Sequence, residues 1–386
     1  MRRGFVSTER SGSRPVRVCV GRAVRTPFIS RAERDTTEAM AQVVSVPRRV
    51  SDEALSPELL VQMYDLMVKA RVLEERLIRM QKQGDGYFWI GGPGEEAFSV
   101  PLGLLVHKGQ GPEFDYLHLH YRGGGTMLAL GADPVDALRQ MKNTATDPYS
   151  GGRNFASHYS VRKWNVVPVS SPIEVQYAMA PGTAMAQKRA GGKGITIVTG
   201  GDAGTAEGEF ASCLIWSSRK GHELPVLIVV TNNQYGISTP YDGQHGEKRV
   251  SDRGAAFGIR SLTIDGNDPE TSYRAIRSAM DYVRTERKPF FLEAMVSRLY
   301  GHSSSSGANF VSEEADCIAQ FEAKLEDRKI LTRARMSELR TKYTEELLEA
   351  SKRVREEPQP EPEDVWKHVF AEENMVGKAA RKDGAS

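Results

Sequence analysis

Cysteine is scarce in this chain and long apolar runs are missing. Cys19, Cys213 and Cys317 are its three thiols and stand far apart, which excludes a disulfide framework or a cysteine metal knuckle and suits a reducing compartment. No stretch approaches the ~18 apolar residues of a membrane-spanning helix. An excess of one charge is also lacking. The 52 basic and 50 acidic residues leave +2, so no general basic field gathers nucleic acid. There is no GxxxxGK[ST] run for a nucleoside triphosphate, and the glycine-rich "GGDAGTAEG" does not match the dinucleotide pattern GxGxxG. These absences predict a soluble intracellular protein with neither a membrane nor a nucleic-acid partner. At 386 residues it is long enough for one large domain or two ordinary ones.

Residues 1–50 are rich in Arg and Ser, poor in acids and without apolar periodicity. Three readings fit: a disordered arm, a transit peptide that would send the chain to a mitochondrial matrix, or a misplaced start ahead of Met40. Without a transit peptide the expected compartment is a bacterial cytoplasm. From Ser56 onward, Leu60, Met63, Met67, Leu73, Leu77 and Met80 recur at helical spacing until Gly84, and "GGPGEEAFSVPLGLLV" offers a second helix start after a glycine turn. "LHLHYRGGGTMLAL", taken alone, reads as a surface turn. A small-residue helix then closes at Gly191 and Gly192, and "ITIVT", "VLIVVTNN", "RSLTIDGND" and "PFFLEAMVSRL" are strand candidates separated by helical stretches. Strands as apolar as the first two are covered on both faces, and the alternation predicts an α/β fold: a doubly wound parallel sheet with helices on both faces. Its expected extent is 51–325. Over 326–386 a helix through Met336, Leu339, Tyr343, Leu347 and Val354 leads into the proline-rich "EEPQPEPED" and the dockable aromatics of "VWKHVF", a helical extension and tail.

In a strand, helix, strand unit both strands point the same way, so Asp202 after the first and Asn232 and Asn233 after the second emerge together at the carboxyl edge, where open α/β sheets bind ligands. One carboxylate with one amide oxygen is an incomplete shell of hard ligands, as suits Mg²⁺ completed by phosphate and water oxygens. Gly201 and Gly204 would let backbone N–H groups approach those phosphates, with the positive end of the next helix behind them. A lone Asp after a strand is more often a helix cap; the paired asparagines favour a metal diphosphate.

"GGDAGTAEGEF…PVLIVVTNNQYGIST" resembles the thiamine diphosphate motif, GD(G/A) followed some 30 residues later by NN. Together with "GGPGEEAFSVPLG", "HYRGGG", "VSSPIEVQ", "IDGND" and "YGHSSS", in that order, it makes residues 56–370 resemble the alpha subunit of the decarboxylating component of 2-oxo acid dehydrogenase complexes, closest to the branched-chain type. The resemblance implies Mg²⁺ ligation by the side chains of Asp202 and Asn233 and the carbonyl of Tyr235. It implies a diphosphate held by Tyr121 and Arg122 beside Gly201, Ala203 and Gly204, a coenzyme supported by Ser171 and Ile173, and His302 as active-site histidine. It further implies decarboxylation of a 2-oxo acid with transfer of the acyl group to a lipoyl group on an acyltransferase. The glutamate that activates the coenzyme belongs to a beta subunit in such enzymes, so the expected assembly has two alpha and two beta chains.

The chain departs from that family at four places. Ala203-Gly204 inverts the usual order, His120 replaces a glutamine, and Thr231 replaces an arginine near the phosphate. The "SSSSGANFVS" after His302 lacks the acidic and Tyr-Arg elements that accompany phosphorylation of a serine at the position of Ser303, and reads equally as a mobile loop or an ordered clamp. A pyruvate or acetoin type, a transketolase-like half-enzyme and an inactive scaffold stay open as alternatives.

Overall fold

The computed structural model describes residues 54–367 and Val369; the arm over 1–50, Cys19, Phe370 and the end of the tail lie outside the described residues. Helix α1 (Pro57–Lys82) starts where Ser56 accepts the Leu59 N–H at 3.3 Å, with Pro57 in the first turn, where its missing donor costs nothing. Its spaced apolar residues are all buried, and Gly84, at φ +79°, ends it. Helix α2 (Glu96–Leu105) follows the glycine turn. Arg71 of α1 binds Glu96 at 2.6 and 2.9 Å and Asp316 at 2.9 and 3.2 Å, which ties the first two helices to a third segment distant in sequence.

Five parallel strands form the sheet in the order β1-β2-β3-β7-β6: β1 (Tyr116–His118), β2 (Thr196–Gly201), β3 (Val226–Asn232), β7 (Phe290–Met295) and β6 (Arg260–Asp265). A two-stranded hairpin, β4 (Tyr235–Gly236) with β5 (Thr239–Pro240), stands apart from it. All seven residues of β3 are buried, and they alternate between two cores. Leu227 and Val229 join Phe98 and Leu102 of α2 and the helix Pro269–Glu286. Ile228 and Val230 join the helices Val175–Arg189 and Gly208–Ser217. The strand period of two thus buries one side chain in each layer, the doubly wound arrangement expected from the apolar runs.

The "LHLHYR" cluster corrects the sequence reading. It is no surface turn: Leu117 and His118 are buried in β1, and His120, Tyr121 and Arg122 are buried beyond its end. A strand of three residues is too short to show alternation, and histidines disguise its inward positions. The helix Arg333–Arg355 lies against α1, and its Met336, Leu339, Tyr343, Leu347 and Val354 share one core with Leu60, Met63 and Met67. Trp366 is 58% exposed. Among the described residues no helix is long and apolar enough to cross a membrane.

Candidate active site

Register brings the chemistry to one edge. Gly201 pairs with Thr231, so Asp202 leaves β2 level with the end of β3, where Asn232 and Asn233 follow. A cavity of about 260 Å³ opens there, lined by Tyr121, Arg122, Ile173, Gly201, Asp202, Ala203, Gly204, Tyr235 and His302 from the expected set. Ser171 and Asn233 are not on its wall. The Nδ1 of His158 faces the Ala156 carbonyl at 3.0 Å and so carries the hydrogen; Ser171 therefore donates its hydroxyl to Nε2 at 2.8 Å. Asn233 is buried beneath the hairpin, with its Oδ1 accepting the Tyr235 N–H at 3.2 Å and its Nδ2 unpartnered. The two asparagines differ in their bonds. Asn232 donates to the buried Glu293 at 2.8 Å and its Oδ1 accepts from Gln234, so its side chain is already committed to the fold.

Asp202 is the distinctive group. It is 1% exposed, yet neither carboxylate oxygen has a hydrogen-bond partner of normal geometry. Burial raises its pKa, against the attraction of Arg122. A buried carboxylate without partners is costly, and such groups are paired or bound to a metal. Arg122, the one arginine or lysine on the cavity wall, donates to the Tyr121 hydroxyl at 3.1 Å, and its Nε lies 2.6 Å from Glu95 Oε1, out of hydrogen-bond alignment. A Cβ at Gly201 would stand 2.4 Å from Arg122 Nη2, so only glycine lets the guanidinium lie against the turn. The imidazole of His302 meets the Tyr121 ring edge-on at 6.0 Å; burial, then Arg122 and Arg298, lower its pKa to about 4. His120 packs on Tyr121 at 3.7 Å and burial drives its pKa well below the usual value. Both rings are neutral at pH 7.

The hairpin covers one side. Ile237, at φ +56°, is a β-branched residue in the left-handed region, and Arg298 fastens it by donating to its carbonyl at 2.8 Å while lying over the Tyr235 ring. After His302, the serine run is an ordered turn: Ser303 is buried, Ser304 N donates to Trp89 O at 2.8 Å, and Ser304 Oγ accepts from Trp89 N.

His120, Glu174, Glu207, Gly236, Ile237 and Gln244 complete the wall. Of these, sequence reasoning singled out His120 as a departure and gave the others no role. Glu174 stands in the quoted "VSSPIEVQ" beside Ile173, but no spacing marks a glutamate that will be buried. Among the described residues no three His, Cys, Asp or Glu side chains gather as a metal site; the expected set has one carboxylate, one amide and one carbonyl.

A family described as "Dehydrogenase E1 component" matches residues 64–363. The chain is 30% identical over 323 residues to the 2-oxoisovalerate dehydrogenase subunit alpha of Bacillus subtilis (strain 168), covering 81% of this chain and 95% of that one. It is 30% identical over 306 residues to the mitochondrial 2-oxoisovalerate dehydrogenase subunit alpha 1 of Arabidopsis thaliana, covering 77% of this chain and 63% of that longer protein. To the mitochondrial subunit alpha of Bos taurus it is 26% identical over 330 residues, 83% and 71% of the two chains.

Proposed function

Since the chain belongs to the dehydrogenase E1 component family, we propose that it is the alpha subunit of a branched-chain 2-oxo acid dehydrogenase. With a beta chain it decarboxylates 2-oxo acids of the 3-methyl-2-oxobutanoate type, and the acyl group passes to a lipoyl group on an acyltransferase. The observation that carries this reading is the unpartnered Asp202 carboxylate, buried at the carboxyl edge of the sheet beside Arg122.

The residues fit thiamine diphosphate with Mg²⁺. Asp202, Asn233 and the Tyr235 carbonyl would hold the cation, which supplies the partner that the two Asp202 oxygens lack. Arg122 and the backbone of the Gly201–Gly204 turn would hold the diphosphate; the guanidinium is kept charged by Tyr121 and Glu95 in spite of burial. Ile173, 47% exposed at the mouth, would support the ring system, with Ser171 fixing its loop. When bound, the coenzyme supplies the electron sink that makes loss of CO₂ feasible. His302, neutral at pH 7, offers one ring nitrogen as an acceptor and one N–H as a hydrogen-bond donor, and it becomes cationic only when it takes up a proton. Two alpha and two beta chains form the working assembly. The direct test is turnover of a panel of 2-oxo acids by the chain reconstituted with its beta chain, coenzyme and Mg²⁺. Branched aliphatic substrates are expected to lead; activity on acetoin alone would refute the assignment.

A further inference from the structure

Glu174 is held in a conformation that nothing in its own chemistry favours. It stands at φ +60° and ψ 9°, in the left-handed region that strains any residue with a Cβ. It is also 1% exposed, although carboxylates are rarely buried without a cation bonded to them. Burial, reinforced by Asp202 and Glu207, raises its pKa to about 8.

Its side chain reaches into the space that the glycine turn leaves empty. A Cβ at Gly204 would fall 1.8 Å from Glu174 Oε1, and one at Gly200 2.3 Å from Oε2. Oε1 accepts the Gly201 N–H at 3.3 Å. Oε2 accepts from Gln176 Nε2 at 3.1 Å, and the same amide donates to the Thr199 carbonyl at 3.1 Å. One side chain therefore joins two segments: the loop that presents Ile173 to the cavity, and the end of β2 with the turn that carries Asp202.

We propose that Glu174 is a positioning residue, which keys the Ser171–Ile173 loop into the glycine turn and so fixes the two walls of the coenzyme cavity relative to each other. The proposal rests on the function proposed above. It gives the glycine at 204 a second purpose, as the socket for this carboxylate.

The test uses the purified assembly of this chain with its beta chain, read by thermal unfolding and by calorimetric titration with thiamine diphosphate at saturating Mg²⁺. Glu174→Gly relieves the backbone strain, so Tm is expected to hold or rise while the coenzyme Kd increases about tenfold. A residue with only a structural role would not separate the two readouts in that way. Glu174→Gln keeps the acceptor for the Gly201 N–H but turns an amide donor toward Gln176 Nε2, so Kd is expected to recover only in part, to a value between wild type and Glu174→Gly. Gly204→Ala drives a methyl group into Oε1 and lowers both Tm and affinity. In Glu174→Gly/Gly204→Ala the clash is gone, so Tm recovers and Kd equals that of Glu174→Gly alone instead of the product of the two losses. Wild-type affinity in Glu174→Gly, or losses that multiply in the double variant, would overturn the proposal. If wild type itself takes up no coenzyme, the functional reading fails instead, and recovery of Tm in the double variant still decides whether the key fits the socket.

Discussion

Asp202→Asn should make the empty protein more stable and the loaded one less so. The substitution keeps the size of the side chain and removes a charge that is buried, unpartnered and raised in pKa. An unsatisfied buried polar group costs about 1–3 kcal/mol, more when charged. Arg122 returns part of that cost to the wild type by attraction, so we expect a gain of about 1–2 kcal/mol, or roughly 2–4 °C in Tm, for the metal-free variant. With Mg²⁺ and thiamine diphosphate at about a hundred times Kd, the wild type gains about 2.7 kcal/mol by mass action. The variant, deprived of its carboxylate ligand, gains almost nothing, and the order of the two melting temperatures reverses. Thermal unfolding of both proteins with and without ligand measures the crossing, and titration calorimetry measures the lost binding. An Asp202→Asn protein that melts below wild type when empty, and still shows the full ligand shift, would refute the reasoning.

Branched-chain 2-oxo acids should be turned over in preference to pyruvate by roughly 10- to 200-fold in kcat/KM, the worth of one or two methylenes in an apolar pocket; equal rates would place the protein with pyruvate-specific relatives. The purified chain alone should decarboxylate nothing measurable, because Glu174 contacts the glycine turn beside Asp202 and no motif places a glutamate at the far end of the coenzyme. Adding the beta chain should restore activity, whereas turnover by a preparation shown free of beta chain by mass spectrometry would contradict the divided site. Acid should destabilise the fold between pH 6.5 and 4. Burial lowers the pKa of His118 to about 4, so in that window the unfolded chain binds a proton that the native one refuses. Stability is then complete above pH 6.5 and falls as pH drops, by up to about 1.4 kcal/mol per pH unit for this group. His118→Gln should remove about one proton from the pH dependence of denaturant unfolding, and an unchanged slope would count against the assignment.

What the sequence announced and what it hid divide along physical lines. β2, β3 and β7 were legible because runs so apolar have nowhere to go but between two helical layers, whereas β6, half-buried at the edge of the sheet, showed through its place after a helix and before a turn; the site followed because parallel strands deliver their ends to one edge. Asp202, Arg122, Tyr235 and His302 were legible through motifs, which register residue identity at fixed spacing. β1 was not, since three residues carry no period. Glu174 was not, since the burial of its carboxylate depends on three glycines in another segment of the chain, and a pattern read along one segment cannot see a socket made by another. The serine run after His302 left order and mobility equally open; Trp89, more than 200 positions away in the chain, supplies the hydrogen bonds that order it.

The cavity wall has a consequence for how the protein is made. Its residues come from the segments around 120, 174, 202, 236 and 302, and they meet only after β2, β3 and β7 have paired in register. Such contacts are distant in sequence and form late and slowly during folding. The pocket therefore does not exist while the chain is being synthesised, and the vitamin-derived coenzyme cannot serve as its folding nucleus. Binding of the coenzyme would then follow folding, and its contribution to stability would come by mass action on a cavity already assembled from five distant segments.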